Sequence, residues 1–206
     1  MNFAIIATFV CAYLLGSLPF GIIIGKTVYG IDPRTVGSGN IGTANSMRAF
    51  GRAGAVLVLL GDALKGAIPT YVALRLFGDP WITAGVGLAT IVGHNWSVFL
   101  RFKGGKGVAT NLGVVIVLSL LSQPPLLAAI AFGAVWLATA AITRYSSLAS
   151  ILGSAAVPLM MYAHGDPLPY VWYGIIAFAL VLWRHEPNIR RLIAGDELKI
   201  GTKKTS

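Results

Sequence analysis

Gly93-His94-Asn95-Trp96-Ser97-Val98-Phe99-Leu100-Arg101-Phe102-Lys103-Gly104-Gly105-Lys106-Gly107-Val108-Ala109-Thr110 joins two apolar runs, Trp81 to Leu100 and Gly107 to Ser122, through a turn rich in glycine and basic residues. Apolar runs approaching ~20 residues read as membrane spans. A turn of this composition between two of them gathers backbone donors and ammonium groups at a membrane edge. The rest of the chain has the same grain. Of its 206 residues, 56% are hydrophobic and 11% charged, against roughly a quarter charged in an ordinary soluble domain. So few charges cannot cover a water-facing surface. The chain therefore reads as an all-α, multi-pass integral membrane protein, a single domain over residues 1–206 with 196–206 as a flexible tail.

Seven apolar segments can be drawn: Phe3 to Ile24, Ala53 to Phe77, Trp81 to Leu100, Gly107 to Ser122, Pro124 to Ile142, Ser147 to Tyr162 and Pro169 to Trp183. The fourth, sixth and seventh fall short of the ~20 residues a span usually needs. The fourth and fifth can also be drawn as a re-entrant pair, with the same final orientation. With the N-terminus outside, one side receives Lys26, Arg34, Arg48, Arg52, Arg101, Lys103, Lys106, Arg144, Arg184, Arg190, Arg191, Lys199, Lys203 and Lys204. The other receives Arg75, with Asp79 and Asp166. This is a positive-inside pattern, and it puts the basic loops and the C-terminus in the cytoplasm. The formal charge of +9 then follows from topology, and no nucleic-acid partner is implied. Cys11 stands alone, so no internal disulfide forms, and no Cys/His cluster has zinc spacing. Met1-Asn2 gives no basic n-region, so no cleavable signal is read.

The first cytoplasmic loop, Gly37-Ser38-Gly39-Asn40-Ile41-Gly42-Thr43-Ala44-Asn45-Ser46-Met47-Arg48, matches the letters of a dinucleotide fingerprint. That motif needs a preceding strand and a βαβ unit, and a membrane span precedes it here. Anion chemistry survives the rejection. Glycines let successive N–H groups converge on one anion. Ser38, Asn40, Thr43 and Asn45 add neutral donors, and Arg48 can grip two phosphate oxygens at once. In the opening stretch, Gly107 follows Lys106 where a P-loop requires Ser or Thr, and Leu100 stands where it requires glycine. A magnesium-nucleotide site is thereby excluded, and neither metal nor cofactor is implied. Gly104, Gly105 and Gly107 are expected to form a backbone nest opening the next helix, whose dipole favours anions, with Lys103 and Lys106 adding charge.

His94 reads either as a hydrogen-bonded packing residue or as a phosphate donor or general base. Asp62 and Lys65, one helical turn apart inside a span, read as an ion pair that locks helix packing. Ser146 and Ser147 read first as caps of the sixth segment. His185, Asn188 and Arg191 recur at helical spacing on a basic interfacial helix suited to anionic headgroups. His164, on the outer side, reads as a surface residue.

Together these clusters resemble the bacterial acyl-phosphate:glycerol-3-phosphate acyltransferase family of the PlsY type. The marks are Gly37-Ser38-Gly39-Asn40 with Asn45 and Arg48, then Gly93-His94 with Phe102 to Thr110. Asp62/Lys65, Ser146-Ser147, His185 with Asn188-Ile189 and Arg191-Leu192, and Gly195-Asp196-Glu197 complete them. Each motif alone is weak, but their order and spacing together are specific. Departures are Ile41 and Ser97 where the family often has proline, Ala44 where it often has a hydroxyl residue, and Glu186 where a basic residue is common. The resemblance implies a seven-helix enzyme of the bacterial inner membrane with its site facing the cytoplasm. It would move the acyl group of acyl phosphate to the sn-1 hydroxyl of glycerol 3-phosphate, giving lysophosphatidate and inorganic phosphate, the first acylation of phospholipid synthesis. Acyl phosphate, glycerol 3-phosphate and membrane lipid are its implied partners, with no obligatory protein partner.

Both substrates carry phosphate, so the site must position two anions and offset their repulsion. Arg48 and Lys106 are expected to clamp glycerol 3-phosphate. Ser38, Gly39, Asn40, Gly104 and Gly105 would cradle phosphate, with Thr43, Asn45 and Lys103 beside them. Ser147, His185 and Asn188 would orient the reacting groups. The hydroxyl proton goes either to the acyl phosphate's own phosphate, as the resemblance suggests, or to His94 or His185. A phosphate transporter would need polar groups along a path to both faces, which the outer connections lack. A lipid-binding scaffold would have no use for Ser146-Ser147 or Asn188.

Overall fold

Aliphatic side chains cover the outside of this protein and polar ones fill much of its interior. The computed structural model describes residues 3–201; Lys203 and Lys204, counted above in the charge pattern, lie outside the described residues. Leu64, Ile68, Leu76, Ile142 and Leu159 are exposed, while Asp62, Lys65, Asn95, Asn111 and Ser154 are buried. Water as solvent would penalise that arrangement, whereas lipid favours it.

The described residues form nine α-helices: α1 (Phe3–Gly16), α2 (Phe20–Tyr29), α3 (Thr43–Phe77), α4 (Pro80–Asn95), α5 (Val108–Leu118), α6 (Leu127–Thr143), α7 (Ser146–His164), α8 (Leu168–Arg184) and α9 (Glu186–Ala194). A helix satisfies its own backbone groups, which lipid cannot do. The all-helical, multi-pass reading therefore stands. The segment boundaries need three corrections.

The first apolar run is two helices bent by 43°, because Pro19 has no N–H to continue the ladder. Lys65 Nζ reaches across and donates to the Leu18 carbonyl at 2.7 Å. Its other partner is Asp62, at 2.6 Å. The ion pair expected within one helix thus also satisfies the break in another. Second, α3 is kinked at Phe50–Gly51, where Gly51 takes a φ of 83° that suits glycine. The kink separates a short first stretch, which carries Arg48, from the apolar remainder. Third, α5 has only 11 residues, or ~16 Å of helix, half the ~30 Å hydrocarbon layer. It is buried along most of its length, and its Asn111 accepts a hydrogen bond from Tyr173 at 2.7 Å. By length and composition, α3 and α7 can each cross a membrane, as can α1 and α2 taken as one bent span; α5, α6 and α8 are apolar but shorter.

Helix pairs approach closely through glycine. A Cβ on Gly16 of α1 would lie 2.2 Å from the Thr90 carbonyl of α4, and one on Gly113 of α5 would lie 2.0 Å from the Ala63 carbonyl of α3. Small residues at such contacts are the usual means of association between membrane helices. Phe132, Val157, Met161 and Tyr173 knit α6, α7 and α8 around α5. At the end of the bundle away from the basic loops, His164 does more than face solvent. Its Nδ1 lies 3.0 Å from Asp166 and its Nε2 lies 2.6 Å from the Gln123 carbonyl, tying two turns together. At the opposite end, the α2–α3, α4–α5 and α6–α7 connections converge with α9.

Candidate active site

A cavity of about 590 Å³ opens where those connections meet. Its mouth is polar: Ser38, Asn40, Thr43 and Arg48 come from the first loop and the start of α3, Lys106 from the α4–α5 loop, Ser146 and Ser147 from α7, and His185, Asn188 and Arg191 from the start of α9. Deeper, the lining is apolar: Leu59 of α3, Leu112 of α5, and Phe132, Trp136 and Leu137 of α6. Leu137 is 65% exposed, so the apolar part of the cavity is open rather than sealed.

Lys106 is the centre of the polar mouth. Its ammonium donates to Asn188 Oδ1. Burial pushes its pKa down to about 8; the Glu197 carboxylate opposes this, and the charges of Arg191, Arg184 and Arg48 add to it. Asn188 Nδ2 donates to Glu197 at 2.6 Å, and Arg191 Nε donates to its other oxygen at 2.7 Å. Burial raises the pKa of Glu197, but the Asn188 and Arg191 hydrogen bonds outweigh it, so the group is held below the usual glutamate range. The Ser147 hydroxyl is buried toward Glu197 without a hydrogen bond of good geometry.

His185 ends α8 with its Nδ1 2.8 Å from the Val181 carbonyl. A carbonyl only accepts, so Nδ1 carries the hydrogen and the neutral ring keeps its lone pair at Nε2. Burial and the charge of Lys106 push its pKa down to about 4, against the Val181 bond. The ring is therefore neutral at pH 7. His94 is placed differently. Its Nδ1 lies 3.3 Å from Thr110 Oγ1 and 3.7 Å from Asp62. Its Nε2 lies under Gly105, where an added Cβ would come within 2.2 Å of it. His94 lines the cavity wall, but its nitrogens face Thr110, Asp62 and the loop.

Two expectations about backbone donors change. The N–H groups of Gly104 and Gly105 do not form a free nest. They donate to the Asn95 and His94 carbonyls at the end of α4, at 3.2 and 3.0 Å. Their own carbonyls accept from Arg184, both at 2.9 Å. These glycines are needed for close approach: a Cβ on Gly104 would sit 1.9 Å from the His94 carbonyl oxygen. In the first loop, the Ser38 N–H donates to Asn45 Oδ1 at 2.9 Å, and Asn45 Nδ2 donates to the Pro33 and Asn40 carbonyls at 2.7 and 2.8 Å. Asn40 Oδ1 accepts from the Gly42 N–H, and the Gly39 N–H donates to the Val36 carbonyl. Asn45 thus braces the loop, and Gly39 supplies a φ of 69°, while Ser38, Asn40 and Thr43 remain on the cavity wall. Lys103 is exposed and lies outside the cavity lining.

The tail also differs from expectation. Residues 196–201 are not a loose end. Beyond the Glu197 contacts, Arg48 donates to the Leu198 and Lys199 carbonyls at 3.2 and 3.4 Å, and Arg144 donates to the Ile200 carbonyl at 3.1 Å. Glu197 and Arg184 are the polar residues missed among the candidates. Glu197 lay within the Gly195-Asp196-Glu197 mark, so a carboxylate among basic motifs was the available signal. Among the described residues, no group of three or more His, Cys, Asp or Glu side chains is arranged to hold a metal.

A cationic mouth above an apolar slot, in a helical fold with lipid for solvent, defines an integral membrane protein that handles a phosphate-bearing, lipid-like molecule. The family described as glycerol-3-phosphate acyltransferase matches residues 6–195. The glycerol-3-phosphate acyltransferase of Rubrobacter xylanophilus is 49% identical over 189 residues, covering 92% of each chain. That of Aquifex aeolicus is 46% identical over 187 residues, covering 90% of this chain and 94% of the relative. The crystal structure of PlsY, an integral membrane glycerol 3-phosphate acyltransferase, in its glycerol 3-phosphate form superposes with a TM-score of 0.89 at 42% identity, covering 97% of this chain and 96% of that one. Its lysophosphatidic acid form gives a TM-score of 0.87 at 41% identity. The chain belongs to the glycerol-3-phosphate acyltransferase family and is a membrane acyltransferase.

Proposed function

We propose that the protein transfers an acyl group from acyl phosphate to the sn-1 hydroxyl of glycerol 3-phosphate. The hydroxyl oxygen attacks the acyl carbonyl carbon and forms the ester C–O bond. The bond from that carbon to the phosphate oxygen breaks, and phosphate leaves with the hydroxyl proton. The products are 1-acyl-glycerol 3-phosphate and inorganic phosphate. The observation that carries this reading is the meeting of Lys106, Arg48, Arg191 and Asn188 at the mouth of an apolar slot. Two phosphates need cations and donors, and an acyl chain needs a dry channel beside them.

Lys106 and Arg48 hold the phosphate of glycerol 3-phosphate. Each charge-assisted hydrogen bond contributes ~1.5–3 kcal/mol, so several offset the repulsion between the two headgroups. Ser38, Asn40 and Thr43 receive the second phosphate. Ser147, His185 and Asn188 orient the acceptor hydroxyl against the acyl carbon. Asn45, Gly39, Gly104, Gly105 and His94 act by shaping the two loops. The mixed anhydride has a good leaving group already, so positioning and electrostatics supply most of the acceleration. The departing phosphate takes the proton, and His185, neutral with a free Nε2, is the protein group that orients it.

The mouth faces the cytoplasm, with the N-terminus outside and seven crossings, four of them made by the short helices α4, α5, α6 and α8, none longer than 17 residues. The one-sided distribution of Lys and Arg supports this orientation. Purified protein given acyl phosphate and glycerol 3-phosphate is expected to release phosphate and lysophosphatidate in equal amounts, and Lys106→Ala is expected to abolish both while the protein stays folded. Full activity in Lys106→Ala would refute the assignment. Loss of four or more decades of turnover in both His94→Ala and His185→Ala, with binding intact, would refute proton transfer to the substrate phosphate.

A further inference from the structure

Arg184 closes α8, and positive-inside topology alone would leave its charge in water. Instead it is partly buried, and its fork takes two successive carbonyls of the lysine loop. Nε donates to the Gly105 carbonyl and one terminal nitrogen donates to the Gly104 carbonyl, both at 2.9 Å. The guanidinium lies 5.8 Å from the centre of the Trp96 ring, and Trp96 packs against Trp183 at 5.2 Å. Taking a guanidinium out of water carries a penalty that only good hydrogen bonds offset, so a cation held this way has a geometric role.

That role follows from peptide planarity. In a trans peptide the C=O and the next N–H point in opposite directions. The Gly104–Gly105 peptide is held at both ends, by Arg184 on its carbonyl and by the His94 carbonyl on its N–H. The Gly105–Lys106 peptide is held by Arg184 on its carbonyl, which turns the Lys106 N–H away from α8. The residue after Arg184 is His185, and Asn188, one turn further on, bonds the Lys106 ammonium. One side chain therefore fixes the loop that presents Lys106 to the helix end that presents His185 and Asn188.

We propose that Arg184 is a positioning residue for glycerol 3-phosphate, setting the lysine loop in register with α9 without touching substrate. This rests on the assignment of Lys106 to that substrate. Arg184→Gln is expected to raise KM for glycerol 3-phosphate about tenfold, the scale of one lost charge-assisted hydrogen bond, with KM for acyl phosphate within about threefold of wild type. Arg184→Lys keeps the charge but cannot fork to two carbonyls, so its KM is expected to fall between wild type and Arg184→Gln. The charge of Arg184 also helps hold the Lys106 pKa near 8. The basic limb of the kcat/KM profile is therefore expected to move to higher pH in Arg184→Gln and to stay in place in Arg184→Lys, whereas loosened packing that hydrates Lys106 would move it in both variants.

The experiment measures both KM values and the pH profile of wild type and both variants as purified membrane enzymes, with thermal unfolding of each. An unchanged KM for glycerol 3-phosphate in Arg184→Gln, or parallel loss for both substrates with an unmoved basic limb, overturns the proposal. If Arg184→Gln does not fold, the lysine variant decides: a wild-type KM there overturns it. Failure of the wild-type protein to make lysophosphatidate would instead refute the proposed reaction, and the role of Arg184 with it.

Discussion

Gly104→Ala tests whether the lysine loop works by close approach. Gly104 is absent from the left-handed glycines, so its backbone angles admit alanine. The obstacle is contact alone. The new Cβ would stand 1.9 Å from the His94 carbonyl oxygen, and carbon and oxygen tolerate about 3.3 Å, so the loop must retreat by roughly 1.4 Å. The obstructing atom is backbone at the end of α4 and cannot rotate away. Retreat stretches the Gly104 N–H bond to Asn95 and pulls Lys106 from Asn188. Displacement of a positioning group by about 1 Å costs roughly a hundredfold, or ~2.7 kcal/mol of transition-state stabilisation. The expected result is a fall of about a hundredfold in kcat/KM for glycerol 3-phosphate, carried mainly by KM. Phosphate release from acyl phosphate by purified enzyme, across a range of glycerol 3-phosphate concentrations, measures it. A KM within threefold of wild type would show that the loop has slack and that the glycine is not there for contact.

Other consequences follow from the same geometry. Lys106 must be charged to hold phosphate, so kcat/KM for glycerol 3-phosphate is expected to fall as pH rises through about 8. The kcat profile should lose activity at higher pH still, because bound phosphate favours the ammonium; coincident basic limbs would count against Lys106 as a phosphate ligand. Asp62→Asn removes the carboxylate charge that pairs the buried Lys65 ammonium and leaves it neutral acceptors alone, a loss of about 3–5 kcal/mol for a broken buried pair. It should lower the thermal midpoint in detergent clearly, with Asp62→Leu/Lys65→Met recovering part of the loss, and a midpoint matching wild type in the single variant would refute this. Ala109→Trp fills the slot beside Leu112 and Phe132. It is expected to impair long-chain acyl phosphates far more than short soluble ones, and equal loss for both would argue against the slot as the acyl channel.

Much of the architecture is legible in the sequence. Residues such as Leu64, Ile68 and Leu159 could be assigned to lipid because so few charges accompany them. The basic loops could be gathered on one side because Lys and Arg are distributed so unevenly along the chain. The Asp62–Lys65 pair followed from helical spacing. The bend at Pro19 was missed because apolar content runs unbroken through it; hydropathy averages over the one absent N–H that matters. The fourth segment reads as short of a span, and α5 is shorter still, since Ser119 to Ser122 continue the apolar run without continuing the helix.

The polar mouth was legible as a set of residue types and obscure as a set of partners. Lys106, Asn188 and His185 were named from spacing and resemblance, and the fold brings them together. The glycine nest was misread because a sequence counts donors without saying which are already spent. A backbone N–H makes one good hydrogen bond, and those of Gly104 and Gly105 are used by carbonyls that α4 delivers. Arg48 meets backbone carbonyls 150 and 151 positions away, a distance over which no local pattern reports. Composition and periodicity therefore determined the solvent, the helices and the basic side, since each follows from free energies that act locally along the chain. The tertiary structure decided which donors face the cavity, because hydrogen-bonding capacity is finite and only folding reveals which distant segment consumes it.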